Sequence, residues 1–320
     1  MPSSHKSTAQ HQPIFAIAGP TASGKSALGI ELAVNLGGEI INCDSVQVYR
    51  EIQVATAKVP LAERRGVPHH LIDFVSPQQN FTAADWARVA IGKIEEIENR
   101  DQRVWLVGGT GFYLRALRQP FFPSPETDEK LRARLTEIRE RRGLEHLHRI
   151  LQRLDRVEAG QLHARDWPRV QRAIEFYMQT GEPISRHRGL RPEPPALAKR
   201  VRVFVLNPPR DELYSRINIR TERHFADGLV AEVRELLNKG VSPNSSALGA
   251  HGYRRVVEYL QGVRDLESAI EQTKLDVRHY AKRQLTWFRQ EPGVEWIEGF
   301  GDDPLIQKDV IRRIASLKVS

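Results

Sequence analysis

Two rhythms of apolar and polar positions alternate along this chain. Ile14-Phe15-Ala16-Ile17-Ala18 is continuously apolar, which predicts a strand buried on both faces. A glycine-rich turn follows, and then a helical stretch from Lys25 to about Leu36. Ile40-Ile41-Asn42-Cys43, ending at Asp44, predicts a second strand, and Leu71-Ile72-Asp73-Phe74-Val75 a third. Thr82 with Asp85 three residues on predicts a capping box. The helix it opens carries Trp86, Ala90, Ile94 and Ile97 at helical spacing. Val104-Trp105-Leu106-Val107 reads as a fourth strand and runs into Gly108-Gly109-Thr110-Gly111. Strands alternating with helices in this way predict an α/β fold, a parallel sheet covered on both faces.

The rhythm changes after Pro120-Phe121-Phe122-Pro123-Ser124-Pro125. Leu131, Leu135 and Ile138, then Leu147, Ile150, Leu151 and Leu154, recur at helical spacing. A second proline-rich stretch, Arg191-Pro192-Glu193-Pro194-Pro195, closes this region, and Val201 to Leu206 reads as a strand returning to the sheet. The expected organisation is a disordered polar leader (1–13), a core (14–125 and 200–320) whose last part is mostly helical, and a helical insertion domain (126–199).

Composition narrows the function. The 320 residues hold 48 Lys/Arg against 40 Asp/Glu, a formal charge of +8. Residues 126–200 hold 17 Lys/Arg and 12 Asp/Glu, so most of the surplus sits in the insertion, which suggests a polyanionic partner. Cys43 is the single cysteine, which excludes an intrachain disulfide and a cysteine-based zinc cluster. No apolar run approaches the roughly 18 residues of a membrane span, and the leader lacks the apolar stretch of a signal peptide. A cytoplasmic protein is expected. The eleven histidines, His69-His70 among them, lack zinc-ligand spacing and read as structural.

Gly19-Pro20-Thr21-Ala22-Ser23-Gly24-Lys25-Ser26 fits the phosphate-loop pattern between a strand and a helix. Its backbone N–H groups and the helix N-terminus form a nest for phosphate oxygens. Lys25 adds a point charge, and the Ser26 hydroxyl can ligate Mg²⁺. No guanine-reading N-K-x-D segment is present. Ligands of open parallel sheets bind at the carboxyl ends of strands, which puts Asp44 and Thr110 beside this loop. An Asp at a strand end is often a turn former. Across from a phosphate loop it is also a candidate general base or metal partner.

In order and spacing the motifs resemble those of the tRNA dimethylallyltransferases (tRNA isopentenyltransferases). The matching blocks are GPTASGKS, DSVQVYR, ATAK (55–58), PHHLID, GGTGFYLRAL, RxxRAIE (169–175), GLVAEVREL, GYR (252–254) and KRQLTWFR (282–289). The resemblance implies a P-loop NTPase-like core. It implies transfer of a dimethylallyl group from its diphosphate to N6 of adenosine 37, in tRNAs reading codons that begin with U. The implied partners are dimethylallyl diphosphate, Mg²⁺ and the tRNA anticodon stem-loop, met by a monomer. Gly19, Pro20, Thr21, Ala22, Ser23, Gly24, Lys25 and Ser26, with Arg220, then bind the diphosphate or a nucleotide such as ATP, and Ser26 binds the metal. Asp44 matches the family's base, and Thr110 matches a residue touching the target adenine. Ser45, Val46 and Gln47 match the base pocket, Gln47 being suited to adenine edges. The implied tRNA-binding positions are Arg132, Pro168, Arg169, Val170, Gln171 and Arg172, then Lys282, Arg283, Gln284, Leu285, Thr286, Trp287, Phe288 and Arg289.

Three positions depart from the family pattern. Ala55 replaces a usual Gly, Pro168 a usual Gln, and a usual basic residue is replaced within Leu248 to His251. A small-molecule or nucleotide kinase would share the phosphate loop and the acid, and a nucleotide-gated RNA-binding protein would share the loop and the basic surface.

Overall fold

The computed structural model describes residues 12–190 and 192–317, so the leader expectation lies outside the described residues except at Gln12 and Pro13. The chain divides into two compact units, Met1–Arg118 with Ala196–Ser320, and Gln119–Pro195.

The first unit is built on a six-stranded sheet. Its strands are β1 (Ile14–Ala18), β2 (Glu39–Asn42), β3 (His69–His70), β4 (Val104–Val107), β5 (Val201–Asn207) and β6 (Val294–Glu298), in the order β3-β2-β4-β1-β5-β6. Every pairing is parallel. All residues of β1, β2 and β4 are buried, as expected for strands covered on both faces. Phe15, Trp105 and Phe204, from three adjacent strands, lie with ring centroids 5.5 and 6.0 Å apart. Leu28 and Leu32 of helix α1 (Lys25–Leu36) and Val310 and Ile314 near the carboxyl end of the chain close the same core.

Helix α2 (Ala83–Glu98) begins with the reciprocal Thr82–Asp85 capping box, and α3 (Gly111–Arg118) follows β4. The second unit holds α4 (Glu129–Arg142), α5 (Leu144–Leu154), α6 (Arg156–Gln161), α7 (Trp167–Thr180) and α8 (Ile184–His187). Its separate core gathers Leu135, Leu147 and Leu151, which the helical rhythm picks out, together with Val170, Ile174 and Phe176. The chain then returns through β5 to α9 (Arg210–Ala226), α10 (Leu229–Asn238), α11 (Tyr253–Leu260), α12 (Leu266–Arg289) and α13 (Pro304–Ser316).

One expectation needs correcting. The third strand is His69–His70, not Leu71–Val75: Leu71 and Asp73 take left-handed φ of 58° and 54°, which no strand accommodates. Only Val75 makes a β-bridge there, to Tyr49. The final region is mostly helical, as expected, and also contributes the edge strand β6.

Candidate active site

The phosphate loop leaves β1 and enters α1 through Gly24, whose φ of 83° is left-handed and whose missing Cβ would lie 2.6 Å from the Asp302 backbone nitrogen. Glycine answers both demands. Lys25 folds back so that its Nζ donates to the Pro20 carbonyl at 2.9 Å. The Ser23 hydroxyl is buried and has no hydrogen-bond partner among the described residues. Helix α12 braces the loop from a distance. Gln284 Oε1 accepts from Thr21 N at 2.9 Å, and its Nε2 donates to the Gly109 carbonyl at 2.8 Å. Arg220, on α9, donates to the Thr21 hydroxyl.

A cavity of about 240 Å³ opens at this loop, with Lys25, Ser26, Asp44, Arg220, Tyr280 and Gln284 among its lining residues. Burial pulls the Lys25 ammonium down to about 8; Asp44 opposes that shift and Arg220 adds to it. A group that sheds its proton this readily is poised to recover it beside an anion. The larger cavity, about 590 Å³, lies at the carboxyl ends of β5 and β6 against Arg210, Tyr214, Lys282 and Arg289. It includes neither the phosphate loop nor Asp44, so the smaller cavity is the one equipped for the chemistry.

Asp44 follows β2. Its Oδ1 accepts from Val46 N at 2.9 Å and Gln47 N at 3.3 Å, so it forms the local turn and also faces the cavity. The Thr110 hydroxyl oxygen accepts from Ser45 N at 3.0 Å, fixing this segment against the end of β4. Gln47 Nε2 donates to the Thr56 carbonyl at 3.0 Å, which reserves that amide for the loop.

What holds the Asp44–Lys58 segment was not visible in its own residues. Glu232, on α10, accepts from the backbone nitrogens of Gln53 and Val54, both at 3.1 Å, and from the Tyr253 hydroxyl at 2.6 Å. Ala55 N donates to that same hydroxyl at 3.2 Å. Lys58 Nζ donates to the carbonyls of Tyr49 (2.7 Å) and Ile52 (2.6 Å) and pairs with Asp73. Burial lowers the Lys58 pKa and Asp73 opposes the shift. The signal available in sequence was the presence of blocks such as ATAK, PHHLID, GLVAEVREL and GYR with no chemistry of their own.

The family model for IPP transferases matches residues 47–291. This chain belongs to that family. It is 45% identical over 303 residues, 95% of this chain and 98% of the relative, to the tRNA dimethylallyltransferase of Solibacter usitatus. It is 46% identical to that of Geobacter metallireducens, across 88% of this chain and 91% of the relative. Its fold matches the crystal structure of the tRNA isopentenylpyrophosphate transferase of Bacillus halodurans with a TM-score of 0.69 at 36% identity, covering 95% and 96% of the two chains. It also matches a eukaryotic dimethylallyltransferase acting on tRNA, with a TM-score of 0.75 at 26% identity, covering 96% of this chain and 78% of that one. The core is thus the P-loop NTPase-like fold of IPP transferases.

The remaining expected tRNA-binding positions of this IPP transferase family member divide by exposure. In α12, Lys282, Arg283, Thr286 and Arg289 are exposed, and Leu285 is half-buried. Phe288 is buried in the core, and Gln284 is buried against the phosphate loop. Trp287 carries the Arg115 guanidinium 3.9 Å from its ring centroid. In the helical unit, Val170 is fully buried, while Pro168 and Arg169 are exposed. Arg132 pairs with the buried Glu175 at 2.8 Å, and Arg172 donates to the Pro125 carbonyl at 2.9 Å. Gln171 Nε2 donates to the Arg132 carbonyl at 3.4 Å. The Val170 and Phe288 side chains are packed inside the protein, while Gln284 both braces the phosphate loop and lines its cavity.

Among the described residues no helix is long and apolar enough to cross a membrane, and no cluster of three or more His, Cys, Asp or Glu could hold a metal ion.

Proposed function

We propose that this chain transfers the dimethylallyl group of dimethylallyl diphosphate to N6 of adenosine 37 in tRNAs reading codons that begin with U. The observation that carries the reading is one cavity lined at once by an anion cradle, Lys25 with Arg220, and by a carboxylate, Asp44. The C1–O bond of the donor breaks, and its electron pair leaves on the diphosphate. The N6 lone pair forms the new C1–N bond, and the proton N6 loses goes to Asp44. Loop N–H groups, Lys25 and Arg220 stabilise the charge developing on the leaving oxygen. Thr110, tied to Ser45, sets the register of the adenine-facing segment.

The site chemistry fits magnesium. Ser26 lines the cavity, and its hydroxyl with diphosphate oxygens would make a hard, all-oxygen set. When bound, the ion neutralises negative charge on the diphosphate. Exposed Arg169, Lys282, Arg283 and Arg289 are proposed to meet tRNA phosphates, with the target base drawn out of its stack to reach Asp44. The site lies within one chain, which is proposed to act as a monomer in the cytoplasm.

The test is incubation with unmodified tRNA and dimethylallyl diphosphate, followed by mass spectrometry of the nucleosides. A five-carbon mass gain on one adenosine is expected. Turnover of ATP onto a hydroxyl acceptor, with the RNA unchanged, would sink the reading in favour of a kinase.

A further inference from the structure

In the proposed reaction the diphosphate meets Lys25 and Arg220 and the adenine meets Asp44, and the five-carbon fragment between them needs a partner of its own while its bond to oxygen is breaking. An allyl group departing from diphosphate develops positive charge delocalised over C1 and C3. Of the charges nearby, Lys25 and Arg220 suit the diphosphate and repel such a cation, while the Asp44 carboxylate is engaged with the adenine N6 in the proposed reaction. Alanines, Val107 and glycines supply the small apolar lining, and Tyr280 is the one aromatic ring among the lining residues.

We infer that the Tyr280 ring is a catalytic group of this enzyme, stabilising the allyl cation through its π-face as the C–O bond opens. Contacts on several sides hold the ring in place. Tyr280 and Gln284 are four residues apart on α12 and so share a face. The two Gln284 hydrogen bonds to Thr21 and Gly109 fix that face against the phosphate loop. The Tyr280 hydroxyl is hydrogen-bonded to the Thr110 side chain. The His251 ring packs against it with centroids 4.8 Å apart. Burial, reinforced by Arg283, holds His251 down to about 4, so a neutral imidazole leaves the tyrosine quadrupole uncompensated. Burial and Asp44 both push the Tyr280 phenol up, so it stays protonated and is no proton acceptor. The exposed Arg283 guanidinium lies 5.8 Å from the ring centroid, at the outer limit of effective cation–π contact. A desolvated cation directly over a ring gains far more than a solvated one at that limit.

The bond changes are those of the proposed reaction: C1–O breaks with its pair going to diphosphate, C1–N6 forms, and the N6 proton goes to Asp44. Tyr280 contributes no atom or electron pair.

The test uses the full chain, tRNA and dimethylallyl diphosphate. Tyr280→Phe is expected to keep kcat within about threefold. Tyr280→Leu is expected to lower kcat by about 30-fold with the donor KM little changed. Phenylalanines carrying increasing numbers of fluorines at position 280 keep the shape while draining the ring's negative face, and kcat is expected to fall stepwise along the series. A flat fluorine series would overturn the inference, as would Tyr280→Phe falling as far as Tyr280→Leu, which would assign the effect to the hydroxyl and Thr110. A Tyr280→Leu change confined to KM would also overturn it. This inference rests on the transferase reading, whose own failure looks different: no prenylated adenosine from the unsubstituted protein.

Discussion

The two segments that meet at the cavity differ in how much they owe to distant residues. The phosphate loop carries most of its backbone conformation in eight consecutive residues, with Gly24 in the left-handed region, Lys25 turned onto Pro20 and a helix starting at once, and distant Gln284 and Arg220 add contacts at Thr21. The Asp44–Lys58 segment is arranged by residues far along the chain. Glu232 caps it from 179 positions away at Gln53, Tyr253 reaches Ala55 across 198, and Lys58 ties its end to Asp73. An anion cradle needs backbone N–H groups, which a short motif supplies. A base and a purine pocket need side chains at defined separations, and only tertiary contacts fix those to the required tolerance.

The largest expected effect comes from removing the proposed base of the second segment, Asp44. Asp44→Ala should cut prenyl transfer by roughly 10² or more while tRNA affinity stays within a few-fold. Single-turnover rates and a filter-binding titration read the two quantities separately. Unaltered transfer would remove Asp44 from its proposed role, and with it the need for such distant bracing.

Next comes the bracing itself. Glu232→Ala leaves two backbone nitrogens and the Tyr253 hydroxyl without their acceptor, at about 1–3 kcal/mol. Transfer should fall roughly tenfold while diphosphate affinity is unchanged, because the phosphate loop does not depend on Glu232. Urea unfolding measures the first effect and donor titration the last. If donor affinity and transfer fell together, the two segments would be one cooperative unit and the contrast would fail.

The phosphate loop has its own signature in pH. Lys25 must be protonated to bind diphosphate strongly, and in the free protein its pKa is drawn down to about 8. An anion held beside it raises that pKa, so binding takes up a proton, and affinity falls as pH rises through about 8. Between pH 7 and 9 the loss should be about tenfold. Calorimetry of dimethylallyl diphosphate binding without tRNA, in buffers of different ionisation enthalpy, shows the slope and the proton uptake. Glu232→Ala should leave this profile in place.

The same contrast explains what could be read from the residues alone. The phosphate loop, the Thr82–Asp85 cap and strands β1, β2, β4 and β5 are set by local spacing and periodicity, and the structure has them where the pattern puts them. The Leu71–Val75 strand failed because its apolar run is overridden by a long-range pairing: Asp73 turns to meet Lys58, and Asn42 Nδ2 donates to the Leu71 carbonyl at 3.0 Å. The partner of Asp73, Lys58, is 15 positions away. β6 was hidden because Ile297 alone of its five residues is buried, leaving a weak apolar signal at the sheet edge. The arginines of the helical unit look alike in sequence, yet Glu175 engages Arg132 and leaves Arg169 exposed. Electrostatic pairing across helices has no period to detect.

The smallest expected effect concerns Ala55, where the family usually has glycine. Glycine would be required if this turn needed a left-handed residue, but the left-handed position is Ala57, with φ of 52°. Ala55 instead offers its N–H to Tyr253, and any residue except proline can do that. Its methyl group therefore strains nothing and restricts the unfolded chain. Ala55→Gly should lower stability by about 0.4–1 kcal/mol, with transfer kinetics within twofold of the parent. A gain in stability on this substitution, read as a higher urea midpoint at constant m, would mean that the methyl group crowds Gly252, whose own missing Cβ would lie 3.8 Å from it. The bracing of the second segment would then be tighter than the hydrogen bonds alone require.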